Sequence, residues 1–472
     1  MKFVIIWLIF FSLAIFLFHS SLDYFFFQDD FFEINISQTK SLKDYLSFFK
    51  FRDDIIAYRP ISLQNYFFVS YSLFGLNPTG FRTISFSLFL VCSLLIYKIA
   101  SYLLKNKFIG FLSVFFWLFS SIHFMSLTWI AAAYNIIGTF FWLLTTILFL
   151  IFLKSKNKRD YFLSMFSFIL CVGSFEFSVT WPIIFGFYYF FVSKKPLFKT
   201  FKIFSPYLLI STAYFLLRLF FIEIPQIPEY KVTFDSGSLK AFFWYVAWTF
   251  NIPEEFKKQI VSNLIYFNPV FLSEFWPLVV KSFTGLSWIL ILTITIPIYK
   301  ILRNQISINS RLVIFMLVWF VTAITPVLII PNHTFTMYLT LASIGIYMLL
   351  AYLLVKVREK FLIYFVVLIW ISLSINTLNF YRLNSWMIEA QKTARVTISD
   401  LKSQFPTLPS NSIVYYYLPF SWQHQSLAGQ EAIKTAYSDP TLTIYYNKKA
   451  LLQGFAKWGN LKPVYIYLPD EK

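Results

Sequence analysis

The stretch Phe3–Phe18, FVIIWLIFFSLAIFLF, followed by Gln28-Asp29-Asp30-Phe31-Phe32, decides the fold class. A bilayer core takes about 20 apolar residues of α-helix, and hydrocarbon leaves the backbone no hydrogen-bond partner outside the helix itself. The chain therefore enters a membrane at once, and Asp29 and Asp30 stand just beyond its far surface. Carboxylates are costly in hydrocarbon, and at its edge they can serve as bases or metal ligands. Charges also simply end helices, so the pair acquires meaning only if other polar motifs fall on the same side.

Outward from this stretch the chain keeps the same character. Its 472 residues are 58% hydrophobic and only 13% charged, with a mean hydropathy of +0.65. This composition describes an all-α polytopic membrane protein. Ser20-Ser21-Leu22-Asp23 offers no A-x-A-like cleavage site, so the first apolar run is expected to remain as a transmembrane helix. The net charge of +18 comes with abundant Lys, Phe, Ile, Tyr and Asn, the mark of an AT-rich coding sequence. The remaining excess suits loops lying on anionic headgroups, and nothing resembles a nucleic-acid-binding fold. Cys92 and Cys171 both fall inside predicted spans, which excludes a disulfide framework and a CxxC metal site.

Apolar runs between charged breaks predict spans near 3–20, 84–103, 108–122, 136–153, 161–175, 177–192, 203–222, 284–301, 312–330, 337–355 and 361–378. The basic clusters Lys105/Lys107, Lys154–Arg159, Lys194–Lys202, Arg303/Arg311 and Lys356–Lys360 occupy alternate loops. The positive-inside rule makes them cytoplasmic, with the N-terminus inside and the C-terminus outside. Lys40, Lys43, Lys50, Arg52 and Arg59 in the first outer loop are the exception. Residues 1–378 then form the membrane domain, with outer loops 21–83 and 223–283. In the second loop Phe242–Phe250 is too short to span and reads as an interfacial helix, with two further spans as the alternative. Residues 379–472 read as a small extracytoplasmic α/β domain, with a helix over Met387–Phe405 and strands at Ser412–Leu418, Thr441–Tyr446 and Val464–Leu468. The expected location is a bacterial plasma membrane.

On this map five polar features share the outer boundary. They are Asp29-Asp30; Tyr58-Arg59-Pro60, where a fixed-φ proline braces a permanently charged bidentate fork; His123; Glu176, alone in the apolar run Cys171–Pro182; and His333 in Pro331-Asn332-His333-Thr334. Singly, a histidine at a helix end is more often an interface residue than a ligand, whereas a glutamate so deep is expensive unless paired. Together they suit a substrate with an apolar tail and a phosphate head. A carboxylate would accept a hydroxyl proton while cations stabilise the departing phosphate. A divalent metal is compatible with such a site, but no spacing such as HExxH demands one, and no cofactor is firmly implied.

Gln28-Asp29-Asp30, then Tyr58-Arg59-Pro60-Ile61-Ser62 and Tyr71-Ser72-Leu73-Phe74-Gly75-Leu76-Asn77-Pro78-Thr79-Gly80-Phe81, resembles the start of GT-C membrane glycosyltransferases, in the protein O-mannosyltransferase-like branch. The resemblance extends through His123–Trp129, Glu176 and Trp319–Leu339 and covers roughly residues 1–380. It implies transfer of a sugar from a polyprenyl-phosphate donor to a glycan, lipid or protein acceptor at the extracytoplasmic face. It also implies inversion and a catalytic aspartate at Asp29 or Asp30, Asp29 being favoured because the family's base comes first in its acidic pair. Arg59, His123, Glu176, Arg82 and His333 would bind donor phosphate or substrate. The chain departs from the family at Arg82, where a histidine is frequent after Gly-Phe, at Ala132-Ala133-Tyr134-Asn135, and at Phe175 in place of a lysine. The competing readings are a flippase for a lipid-linked sugar, for which the spans carry few ionisable groups and no repeat symmetry, and a non-catalytic envelope protein.

Overall fold

The computed structural model describes residues 2–51, 55, 57–222, 227–262, 266–276, 283, 285–455 and 464–467. Pro277, read from the sequence as a break in the second outer loop, and Leu468, the last residue of the third expected strand, lie outside them. Each of the eleven predicted membrane segments contains a helix. Among the described residues eight helices are long and apolar enough to cross a membrane: Phe3–Asp23, Pro78–Leu103, Ile130–Ser155, Leu197–Phe221, Gly285–Leu302, Ser310–Leu328, Thr336–Val357 and Lys360–Gln404. A ninth is the bent pair Lys107–Leu118 and Ser121–Thr128, broken by 50°. The other two segments are shorter, Lys158–Val172 at 15 residues and Glu176–Val192 below 18. At 1.5 Å per residue, 15 residues reach only about 22 Å.

The helices pack as antiparallel neighbours, with Pro78–Leu103 against Lys107–Leu118, Tyr134–Ser155 against Lys158–Val172, and Ser310–Leu328 against Leu339–Val357. Glycine sets the last of these approaches. A Cβ on Gly345 would stand 2.5 Å from the Met316 carbonyl oxygen. Buried tryptophans fill the bundle, and two of them spend their N–H groups on backbone, Trp117 on Thr340 at 2.8 Å and Trp319 on Leu341 at 3.3 Å. Cys92 and Cys171 are both free and buried.

In the second outer loop the aromatic stretch lies in a 14-residue helix, Ser236–Thr249. The last long helix, Lys360–Asn384, hands over at Ser385 to Trp386–Gln404. A three-stranded parallel sheet follows, with Ile413–Tyr416 between Thr443–Tyr445 and Val464–Tyr467. Parallel strands require crossovers, and helices Ser421–Ser426, Glu431–Tyr437 and Lys448–Phe455 lie along them. Of the run Ser426–Tyr437, which the sequence marks as one helix, only Glu431–Tyr437 forms it, and Ser426 instead ends Ser421–Ser426, with Ala428 and Gly429 at positive φ between the two.

Candidate active site

The two aspartates open the helix Asp29–Ile36, where the first turn favours negative charge. Asp30 is fully buried. Its Oδ1 accepts the Ala131 N–H at 2.7 Å and its Oδ2 the Phe27 N–H at 3.2 Å. Burial pushes its carboxyl up to about 7, against the opposing pull of nearby Arg82 and of these two amides. Asp29 is exposed and makes no side-chain hydrogen bond among the described residues. Protein nevertheless surrounds it closely enough that burial raises its pKa, with Arg59 pulling it down. Exposure of its own surface together with a desolvated setting describes a carboxylate with protein close by and no hydrogen-bond partner of its own among the described residues.

Close enough to Asp29 to act on its charge, Arg59 lies 2.9 Å from Glu176 through Nη2, and its Nε donates to both carboxylate oxygens at 3.0 and 2.9 Å. The local chain explains the meeting. Just past Pro60, the Ile61 N–H donates to the Gly173 carbonyl at 3.0 Å and the Ser62 hydroxyl to the Ser174 carbonyl at 2.5 Å, stapling the arginine loop to the turn that carries Glu176. Arg218, from the last turn of Leu197–Phe221, reaches the same carboxylate at 3.2 Å. Beneath, the Arg59 guanidinium sits 3.5 Å from the Tyr134 ring centroid, a stacking that fixes the plane of the fork.

A tyrosine and histidine group lies within electrostatic reach of Arg59. His333 stacks on Tyr230 at 4.6 Å, and its Nδ1 is hydrogen-bonded to the Tyr338 hydroxyl at 3.0 Å. Burial, and next the Arg59 charge, push His333 down to about 4, so it is neutral at pH 7. Burial raises the Tyr230 hydroxyl, which also feels Tyr134, Arg59, Asp29 and Glu176. Among the described residues no three of His, Cys, Asp or Glu gather as a metal-ligand set.

Asp29, Arg59, Glu176 and His333 therefore lie together, and the other three expected residues, Asp30, His123 and Arg82, are buried with partners of their own. His123 is fully buried between Phe89 and Trp117, with Nε2 hydrogen-bonded to the Trp117 carbonyl at 2.8 Å. Arg82 is equally buried and gives its donors to the carbonyls of Thr128 at 2.8 Å, Phe25 at 3.2 Å and Tyr24. With Asp30 it knits residues 24–31 to residues 128–131. Sequence reasoning did not single out Arg218 or Tyr230. Arg218 did carry a signal, because it is the lone charge in the apolar run Ile203–Phe221, the same argument that selected Glu176. Also unforeseen was Glu254, whose Oε2 accepts from the Thr336 N–H at 2.7 Å and hydroxyl at 2.8 Å. It braces the loop that bears His333.

No curated protein matches the chain. Residues 63–220 match the family model described as dolichyl-phosphate-mannose-protein mannosyltransferase. That segment carries Glu176, Tyr134 and Arg218, and the match supports a GT-C-like family of mannosyltransferase type for this integral membrane chain.

Proposed function

We propose that the protein is a glycosyltransferase that moves a sugar from a polyprenyl-phosphate donor to an acceptor hydroxyl at the extracytoplasmic membrane face. The observation that carries this reading is the gathering of an uncommitted carboxylate, Asp29, with two arginines that share one glutamate, which in this reading line one recess. Arg59, Arg218 and Glu176 together bear one net positive charge, which suits a phosphodiester. Asp29 takes the proton of the acceptor hydroxyl as its oxygen attacks the anomeric carbon. The bond from that carbon to the phosphate oxygen breaks, its electron pair passes to the phosphate, and the arginines stabilise the charge that develops there. Attack opposite the leaving group inverts the anomeric centre. Tyr230, Tyr338 and neutral His333 offer hydrogen bonds to sugar hydroxyls.

In this reading residues 1–378 form the membrane domain, the N-terminus is cytoplasmic, residues 379–472 lie outside, and the acceptor is a glycan, a lipid or a protein. The test is reconstitution with a polyprenyl-phosphate sugar. Asp29→Asn is expected to lower turnover by about 10²–10⁴-fold with folding retained. Arg59→Ala is expected to raise the donor KM as well as lower turnover. Unchanged transfer in both variants would sink the reading, and flipping of the lipid without loss of its sugar would replace it with transport.

A further inference from the structure

The helix that carries Asp29 is gripped from outside by the C-terminal α/β unit. The Asn35 amide donates to Glu431 Oε2 at 2.7 Å and to the Glu431 carbonyl at 3.2 Å, while the Thr435 hydroxyl donates to Asn35 Oδ1 at 2.8 Å. At the other end of the helix, the Gln28 N–H donates to the Ser426 carbonyl at 2.8 Å. Gln28 has φ +50° and ψ −131°, a conformation that a residue with a Cβ holds only when its surroundings impose it. The loop leading in is held in the same way, the Phe25 N–H by Gln391 Oε1 at 3.2 Å and the Asp23 carbonyl by Arg395 at 3.2 Å. Trp386 packs edge-on against Phe27 at 5.8 Å.

These contacts run from residue 23 to residue 35, and Asp29 lies in their middle. The inner face of the same helix is fixed to the bundle through Asp30. Two anchors on opposite faces therefore define the direction of a side chain that itself has none. A base is useful only when it lies within hydrogen-bond reach of the proton it removes, and a misplacement of 1 Å can cost about 10²-fold in rate. From this geometry we infer that the C-terminal unit is a positioning clamp for the catalytic recess, with Asn35, Glu431 and Thr435 as positioning residues that act through Asp29. The inference rests on the role proposed for Asp29.

Asn35→Asp sets a carboxylate against Glu431 and breaks the clamp, and Glu431→Gln added to it restores a donor facing an acceptor. In the reconstituted full-length protein, Asn35→Asp is expected to lower kcat about tenfold with the donor KM within about twofold of wild type. The double variant is expected to recover most of the loss. Amide hydrogen exchange over residues 23–36 should speed up in the single variant and slow again in the double. Full kcat in Asn35→Asp, no recovery in the double variant, or unchanged exchange would each overturn the clamp. Exchange that responds as described in the two variants, alongside a wild-type protein that transfers no sugar, would leave the clamp standing and refute the transferase reading instead.

Discussion

Neighbouring residues on an α-helix point about 100° apart, and Asp29–Ile36 uses that angle to send two acids to different places. Asp30 shares its face with buried Ile34, while Asp29 shares the outer face with Phe32 and Ile36, both only partly buried. The apolar spacing of Phe31 and Ile34 could have assigned Asp30 to the inside from sequence. What spacing does not carry is the pair of amides that occupy it, because Ala131 lies 101 positions away. Two pH dependences follow. If Asp29 is the base it must be ionised, so its raised pKa moves the acid limb of kcat/KM above the pH 4 region of an ordinary carboxylate. A profile flat down to about pH 4 would argue against that role. For Asp30 the folded value of about 7 exceeds the ordinary 3.8, so folding favours the protonated form. Its contribution to stability is then full below about pH 4 and lost as pH rises through about 7. The Tm advantage of wild type over Asp30→Asn should shrink across that window. Arg59→Lys keeps the charge but loses the fork that meets Glu176 and the flat face on Tyr134, so transfer should fall although the electrostatic balance is unchanged.

Between elements, the close approach of Tyr134–Ser155 to the turn before Glu176 depends on Gly138. A Cβ there would stand 2.4 Å from Phe175 Cβ, which cannot swing away as a side-chain tip could. Gly138→Ala should therefore displace Phe175 and, one residue on, Glu176. Overpacking of this kind costs about 1–3 kcal/mol. The expected result is a lower melting temperature in detergent together with a larger loss of transfer than a comparable insertion far from the recess produces. Wild-type kcat in Gly138→Ala would show that the turn absorbs the shift. The same place marks where sequence reading ends. The helices were legible because hydrocarbon enforces long apolar runs, Glu176 stood out because charge is rare in them, and Arg59 stood out because a proline follows it. Their bond to each other was not legible. It joins residues 117 apart through a staple of backbone carbonyls, and backbone groups have no signature in side-chain order. The two short segments, Lys158–Val172 and Glu176–Val192, were also read as ordinary spans, since composition reports apolarity more faithfully than length.

At the scale of the whole molecule, charge and chemistry are sorted to opposite ends. Lys300 meets Glu359 at 3.0 Å where the basic loops gather, and antiparallel packing carries Asp29, Arg59, Glu176, Arg218 and His333 to the other end of the same helices. If the positive-inside rule sets the orientation, the recess opens outward with the C-terminal unit over it. The two native thiols make this directly measurable. Cys92 and Cys171 are sealed inside the bundle, so a cysteine placed on the surface becomes the one thiol an impermeant maleimide can reach. Ser410→Cys, beside the C-terminal sheet, should label on intact cells, and Ser155→Cys, at the basic end, only after the membrane is opened. The reverse pattern would turn the whole assignment inside out. The wild-type chain, silent to the reagent, is its own blank, and every exposed position becomes a place to hang a spectroscopic or crosslinking probe without first stripping the protein of its own sulfur.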